Sequence, residues 1–287
     1  MSRHERQDEV SLFAHRLGAP LWPAGRKKER RLEFLRPRQF AALRDECPVL
    51  YVPLGTIEWH GPHLPLGTDA LKVHALCLMA AGLAGGVVHP ALYWGVDVYW
   101  KSPAGQIRRG MDAPAEMQLP GSVYQVQEAT FEALLTDIVA EGLRAGCQLI
   151  VLCTGHNSPT QWHLVHKVAH AANERLGYTA VYPTNDRERV EKEIDWTVGH
   201  GGQWETSLLM ALHPDAVDMA ELPEHPLPLR GVTGCDPRPG SAAEKGREAL
   251  ELAAARLADL VRALLDEGRA AGKVHKRASR ARRCTDV

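Results

Sequence analysis

Glu58 and His60 stand two residues apart in Pro53-Leu-Gly-Thr-Ile-Glu-Trp-His-Gly-Pro-His-Leu-Pro-Leu-Gly-Thr-Asp69, a stretch that closes on a second carboxylate. In extended backbone that spacing sends both side chains to the same side. The Gly- and Pro-rich loop behind them can fold Asp69 back toward the pair. An imidazole and two carboxylates in one pocket suit a hard-to-borderline divalent cation: Zn²⁺ first, with Mn²⁺ or Fe²⁺ as alternatives. The competing reading is a polar loop in which Asp69 merely caps the helix that follows.

Two later segments repeat the pattern. Cys153-Thr-Gly-His156-Asn-Ser-Pro159 follows the apolar run Gln148-Leu-Ile-Val-Leu-Cys153, and Gly199-His200-Gly-Gly-Gln-Trp-Glu205 sets a His in a glycine turn and a Glu in the first turn of a helical run. Each puts ionisable groups where a loop meets a helix. On the helix after Pro159, His163, His166 and His170 share one face. They lack an acidic partner, so a packed or solvated histidine face outweighs a second metal site.

The elements that must position these groups alternate. Pro48-Val-Leu-Tyr-Val52 reads as a buried strand, Ala70 to Leu83 as a helix stopped by Gly85-Gly86, and Val87 to Trp94 as another strand. Ser122 is expected to cap a helix running to about Arg144, and Gln148 to Leu152 is the strand that delivers His156. Tyr178 to Pro183 reads as a further strand, and a long helix spans about Ala242 to Glu267. Strand, helix, strand order predicts an α/β fold with a parallel sheet, whose ligand crevice lies beyond the strands' carboxyl ends. Gly95 to Pro120 shows no periodicity and reads as a long irregular connection.

The 287 residues divide into an N-terminal extension (1–46), a main domain (47–270) and a basic, flexible tail (271–287). Hydrophobic residues at 45% and charged ones at 24% are ordinary globular values, and 34 basic against 35 acidic residues supply no field to recruit nucleic acid or an anionic membrane. The six cysteines form no CxxC pair and no disulfide framework. The charged start is unlike a signal peptide and no window of ~18 apolar residues occurs, so a reducing cytoplasm is the expected location. Phosphate-loop, dinucleotide, H-E-x-x-H and G-x-S-x-G motifs are all missing, which leaves hydrolysis by metal-activated water.

On the segments Glu58-x-His60-Gly-Pro-His-Leu-Pro-Leu-Gly-Thr-Asp69, Gly155-His156-Asn157 and His200-Gly-Gly-Gln-Trp-Glu205-Thr-Ser, the chain resembles the creatininase (creatinine amidohydrolase) family over roughly residues 47 to 250. The resemblance implies a three-layer α/β/α sandwich with a mostly parallel sheet, a homo-oligomer that is usually a hexamer, and two divalent ions per subunit. It implies that Glu58 and His156 hold one ion and His60 the other, with Asp69 bridging and His200 passing a proton to the leaving nitrogen. Creatininase proper carries a Glu where this chain has Ser158. Glu205 is therefore expected as the replacement ligand, and creatinine itself is doubtful as substrate. Trp196, Asn157, Ser158 and Trp100 are the expected substrate contacts. A small molecule with an amide-like C–N bond, either a cyclic amide or a formamide, is the first substrate class. Hydrolytic opening of a cyclic polyol ketone is the second, and a non-catalytic metal-binding scaffold the third.

Overall fold

The computed structural model describes residues 28–112, 119–122, 125–188, 190, 193, 199–224 and 229–274. In chain order its main elements are α1 (Pro37–Glu46), β1 (Val49–Leu54), α2 (Thr68–Ala84), β2 (Val87–Val88), β3 (Tyr99–Lys101) and β4 (Ile107–Arg109). These are followed by α3 (Glu128–Arg144), β5 (Leu149–Thr154), α4 (Pro159–Leu176), β6 (Val181–Asn185), α5 (Gln203–Leu212) and α6 (Ala243–Ala270). Four strands form a sheet in the order β2-β1-β5-β6, every pairing parallel.

Strands β1 and β5 are buried along their whole length, and nearly all their residues are apolar, because both faces are covered. Their alternation sorts the core into two layers. Val49, Tyr51, Leu149, Val151 and Cys153 face α2, α5 and α6, where they meet Val73, Leu76, Leu208, Leu250 and Leu257. Leu50, Val52, Leu54, Ile150 and Leu152 face the opposite way, onto Leu43 of α1, Phe131 and Leu135 of α3, and Leu164 and Val168 of α4. The result is the expected α/β/α sandwich with a parallel central sheet.

Four expectations about elements need correction. The strand foreseen over Val87 to Trp94 is only two residues long, because His89 is followed by Pro90, which has no N–H for a ladder. The chain touches β1 again only at a bridge from Leu92 to Leu54. The strand foreseen over Tyr178 to Pro183 lies at Val181–Asn185; the Asn173 side chain accepts from the Ala180 and Val181 amides and so fixes where the strand begins. Ser122 does not cap α3, which begins at Glu128, because Gln125 bridges to Gly95 and holds the chain extended up to Gln127. Its hydroxyl instead accepts from the Trp59 amide. The connection expected to be irregular contains a hairpin, with Tyr99 opposite Arg109 and a turn whose Gly105 sits at φ 80°.

Two glycines set how α2 meets the sheet. A Cβ on Gly55, just past β1, would lie 2.4 Å from the Ala70 amide nitrogen, and one on Gly155, just past β5, would lie 2.2 Å from the Asp69 carbonyl oxygen. Only glycine lets both strand ends press against the first turn of the helix that carries Asp69. Gly155→Ala should therefore cost about 1–3 kcal/mol through forced backbone displacement. A thermal midpoint unchanged from the parent protein would contradict that contact.

Candidate metal centre

Beyond the carboxyl ends of β1 and β5, Glu58 and His60 come from the loop after β1, Asp69 from the first turn of α2, and His156 from the turn after β5. His200 comes from the glycine turn before α5, and Glu205 from that helix's first turn. All are buried except His200, whose side chain is 19% exposed. Asp69 makes no capping contact at the N-cap of α2; its two oxygens point outward to different histidines.

His156 Nδ1 lies 3.1 Å from Asp69 Oδ2 and 3.2 Å from Glu58 Oε2. On the other side, His60 Nε2 lies 3.2 Å from Asp69 Oδ1 and 3.6 Å from Glu205 Oε2. Three donor groups result, each with its ligand atoms within 4.8 Å of one another: Glu58 with Asp69 and His156, His60 with Asp69 and Glu205, and Glu58 with His60 and His200. The carbonyls behind the histidines choose the tautomers. His156 Nε2–H donates to Val96 O at 3.1 Å and His60 Nδ1–H to Glu58 O at 3.1 Å, which turns the remaining ring nitrogen of each toward Asp69. Glu58 Oε2 is buried and accepts no hydrogen bond, a lone pair of the kind a cation would take up. That set of one imidazole and two carboxylates fits a divalent ion.

Sequence reasoning missed Lys72 and Asp186. Lys72, one turn after Asp69, is 1% exposed; its Nζ donates to Glu205 Oε1 and lies 3.4 Å from Asp69 Oδ1 and 3.2 Å from Asp186 Oδ2. A single lysine in the otherwise apolar run Ala70-Leu-Lys-Val was the available signal. Asp186 stands directly after β6, at the same sheet edge, and accepts from Asn157 Nδ2 at 2.9 Å and Trp204 Nε1 at 3.2 Å. Asp97 also joins the site, with Oδ2 3.6 Å from His156 Nε2. Gly110 packs over it where a Cβ would come within 2.3 Å of that oxygen.

The crowding of charge moves the titrations. Burial favours neutral forms, yet His200 and His156 hold the Glu58 carboxyl down at about 2. Burial alone would lower His60, but Asp69 and Glu205 push it up to about 9. Lys72 is likewise opposed by burial and held above its ordinary value by Asp186 and Glu205. Burial raises Asp97 to about 6, with His156 opposing and Glu58 reinforcing. His200 moves the other way, lowered by burial and by its neighbour His60, on which it stacks at 4.0 Å between ring centroids.

A cavity of about 670 Å³ opens onto this cluster. Glu58, Asp69, His156, His200 and Glu205 line its floor, with Asn157, Ser158, Arg187 and Met111 in the wall and Trp100, 57% exposed, at the rim. Asn157 Oδ1 is buried without a donor. The Ser158 hydroxyl is spent on backbone, accepting from the Gln161 amide at the start of α4 and donating to Val96 O at 2.7 Å. Trp196, expected as a substrate contact, lies outside the described residues. The histidine face of α4 gathers no carboxylate cluster among the described residues: His166 packs edge-on against Trp162, and His170 pairs with the exposed Glu174.

In the metal-free protein the stability that His60 contributes is full below its ordinary value of 6.5 and is lost as pH rises through its folded value of about 9. Asp97 at about 6 and His63 at about 4 titrate below that window. Melts in EDTA should therefore show a midpoint that drops between pH 6.5 and 9, and a flat profile there would contradict the carboxylate cage around His60.

A family model described as creatininase, creatinine amidohydrolase, matches residues 33–261 of the chain. Creatinine amidohydrolase of Pseudomonas putida is 29% identical over 244 residues, covering 75% of this chain and 88% of that protein. Among solved structures, a mutant creatininase of Zn-Zn type is 27% identical with a TM-score of 0.63, covering 82% of this chain and 98% of its own. A creatininase in its Mn form is 27% identical with a TM-score of 0.61 over the same shares.

Proposed function

Because this chain belongs to the creatinine amidohydrolase (creatininase) family, whose members are hydrolases, we propose that it cleaves an amide-type C–N bond of a small polar molecule held in the cavity above Asp69. The observation that carries the reading is the meeting of three buried donors, Glu58 and His156 from two loops and Asp69 from the first turn of α2, with Glu58 Oε2 left without a hydrogen bond. Those three residues would hold a divalent ion, with Zn²⁺ or Mn²⁺ favoured by the forms in which similar creatininases occur. Such an ion supplies Lewis acidity and brings the pKa of water down toward ~7.

The chain's own groups do the rest. His200 Nε2–H is committed to the Trp59 carbonyl at 2.6 Å, so Nδ1 faces the cavity. Its lowered pKa leaves that nitrogen unprotonated at neutral pH and able to act as a base. His200 takes a proton from the attacking water as the new C–O bond forms, then passes it to the leaving nitrogen as the C–N bond breaks. Asn157 Oδ1, unpaired in the wall, accepts a substrate N–H. Trp100 and Met111 narrow the mouth and shed water from it.

The same reading implies a homo-oligomer, for which the exposed Tyr99, Trp100 and Ile107 of the hairpin offer apolar surface. A cytoplasmic location fits the buried, unbridged Cys47, Cys77, Cys147 and Cys153. No described helix is long and apolar enough to cross a membrane.

Glu58→Ala and Asp69→Ala should each lose bound metal, read by elemental analysis, together with turnover in a screen over lactams, formamides and cyclic ketones. Full turnover by metal-free protein would end the reading; turnover of ketones alone would move the scissile bond from C–N to a ring C–C. His200→Ala should keep its metal and lose about 10²–10⁴-fold in kcat. Unchanged kcat would remove His200 from the proton path.

A further inference from the structure

The donor groups on the two sides of Asp69 are not equivalent. On the Glu58 side, Oε2 is buried and lacks a hydrogen bond. On the Glu205 side both carboxylate oxygens are already taken: Oε1 by the Lys72 ammonium and Oε2 by the Gly201 amide at 2.6 Å. Ser158 brings nothing to that side, since its hydroxyl is engaged with Val96 O and the Gln161 amide. We infer that the Lys72 ammonium fills the second cation position of this centre, so that the chain binds one divalent ion where its family likeness implies two.

Lys72 is placed there by the fold. It follows Asp69 by three residues on α2, which puts both side chains on the same helix face. Its Nζ lies 3.4 Å from Asp69 Oδ1, the oxygen that faces His60. Asp186 holds the ammonium from the side, 3.2 Å away, and is itself fixed by Asn157 and Trp204. A dication among His60, Asp69 and Glu205 would face this ammonium across two shared carboxylates in a buried site, where the repulsion is little screened. Turning Lys72 out is no remedy, because its side chain is enclosed and would leave a buried charge without a partner.

The inference rests on the metal-hydrolase reading but can fail separately. Purified protein equilibrated with excess Zn²⁺ and dialysed should contain one ion per chain by elemental analysis. Loaded with Mn²⁺, it should give the electron paramagnetic resonance spectrum of isolated ions. Lys72→Met, which keeps the apolar stem and removes the charge, should raise the content to two ions per chain and bring in the signature of a spin-coupled pair. A parent chain that binds two ions overturns the role of Lys72 and leaves the hydrolase reading standing. A parent chain that binds none overturns both. If Lys72→Met does not fold, the content and spectrum of the parent decide alone; if it folds and still holds a single ion, Lys72 is not what excludes the second.

Discussion

The carboxylate of Asp69, pressed between the ends of β1 and β5, is the contact on which the site depends. It reaches that place because Gly55 and Gly155 lack side chains that would otherwise strike the first turn of α2. From there its two oxygens address His60 and His156 on opposite sides. Each histidine meets Asp69 from its own loop, and His156 also reaches Glu58 in the loop that carries His60. A parallel sheet with helices on both faces makes this economical, since successive strands end at one edge and their loops converge there.

The second constraint is electrostatic. Glu58, Asp69, Glu205, Asp186 and Asp97 crowd into one buried region, and carboxylates removed from water are tolerated only when cations accompany them. In the metal-free protein the balance comes from Lys72 and from raised pKa values on His60 and His156, so protons stand where a dication would. An ion bound there would have to displace those protons. The bias is uneven across Asp69: the Glu58 side offers an unsatisfied oxygen, while the Glu205 side is already closed by an ammonium and an amide.

Around this fixed floor the wall is built from connections. The β3–β4 hairpin brings Trp100 to the rim, and the residues beside it carry Asp97 and Gly110 down to Glu58 and His156. The floor sets the type of chemistry through its donors, whereas the wall sets which molecule fits.

The sequence alone was enough to place Glu58, His60, Asp69, His156, His200 and Glu205 at loop and helix boundaries of a parallel α/β sheet, because apolar runs, glycine turns and helix starts are local signals. It was also enough for the family, whose motifs are contiguous stretches of chain. What it could not show was which groups touch. Lys72 and Asp186 belong to no motif, and nothing local announced that the Ser158 hydroxyl caps α4. The late start of α3 escaped for the same reason, since it is decided by the bridge from Gln125 to the distant Gly95. Only the tertiary structure sets an ammonium against a carboxylate 133 residues away, and burial then turns that contact from a screened surface pair into a fixed charge at the centre of the site.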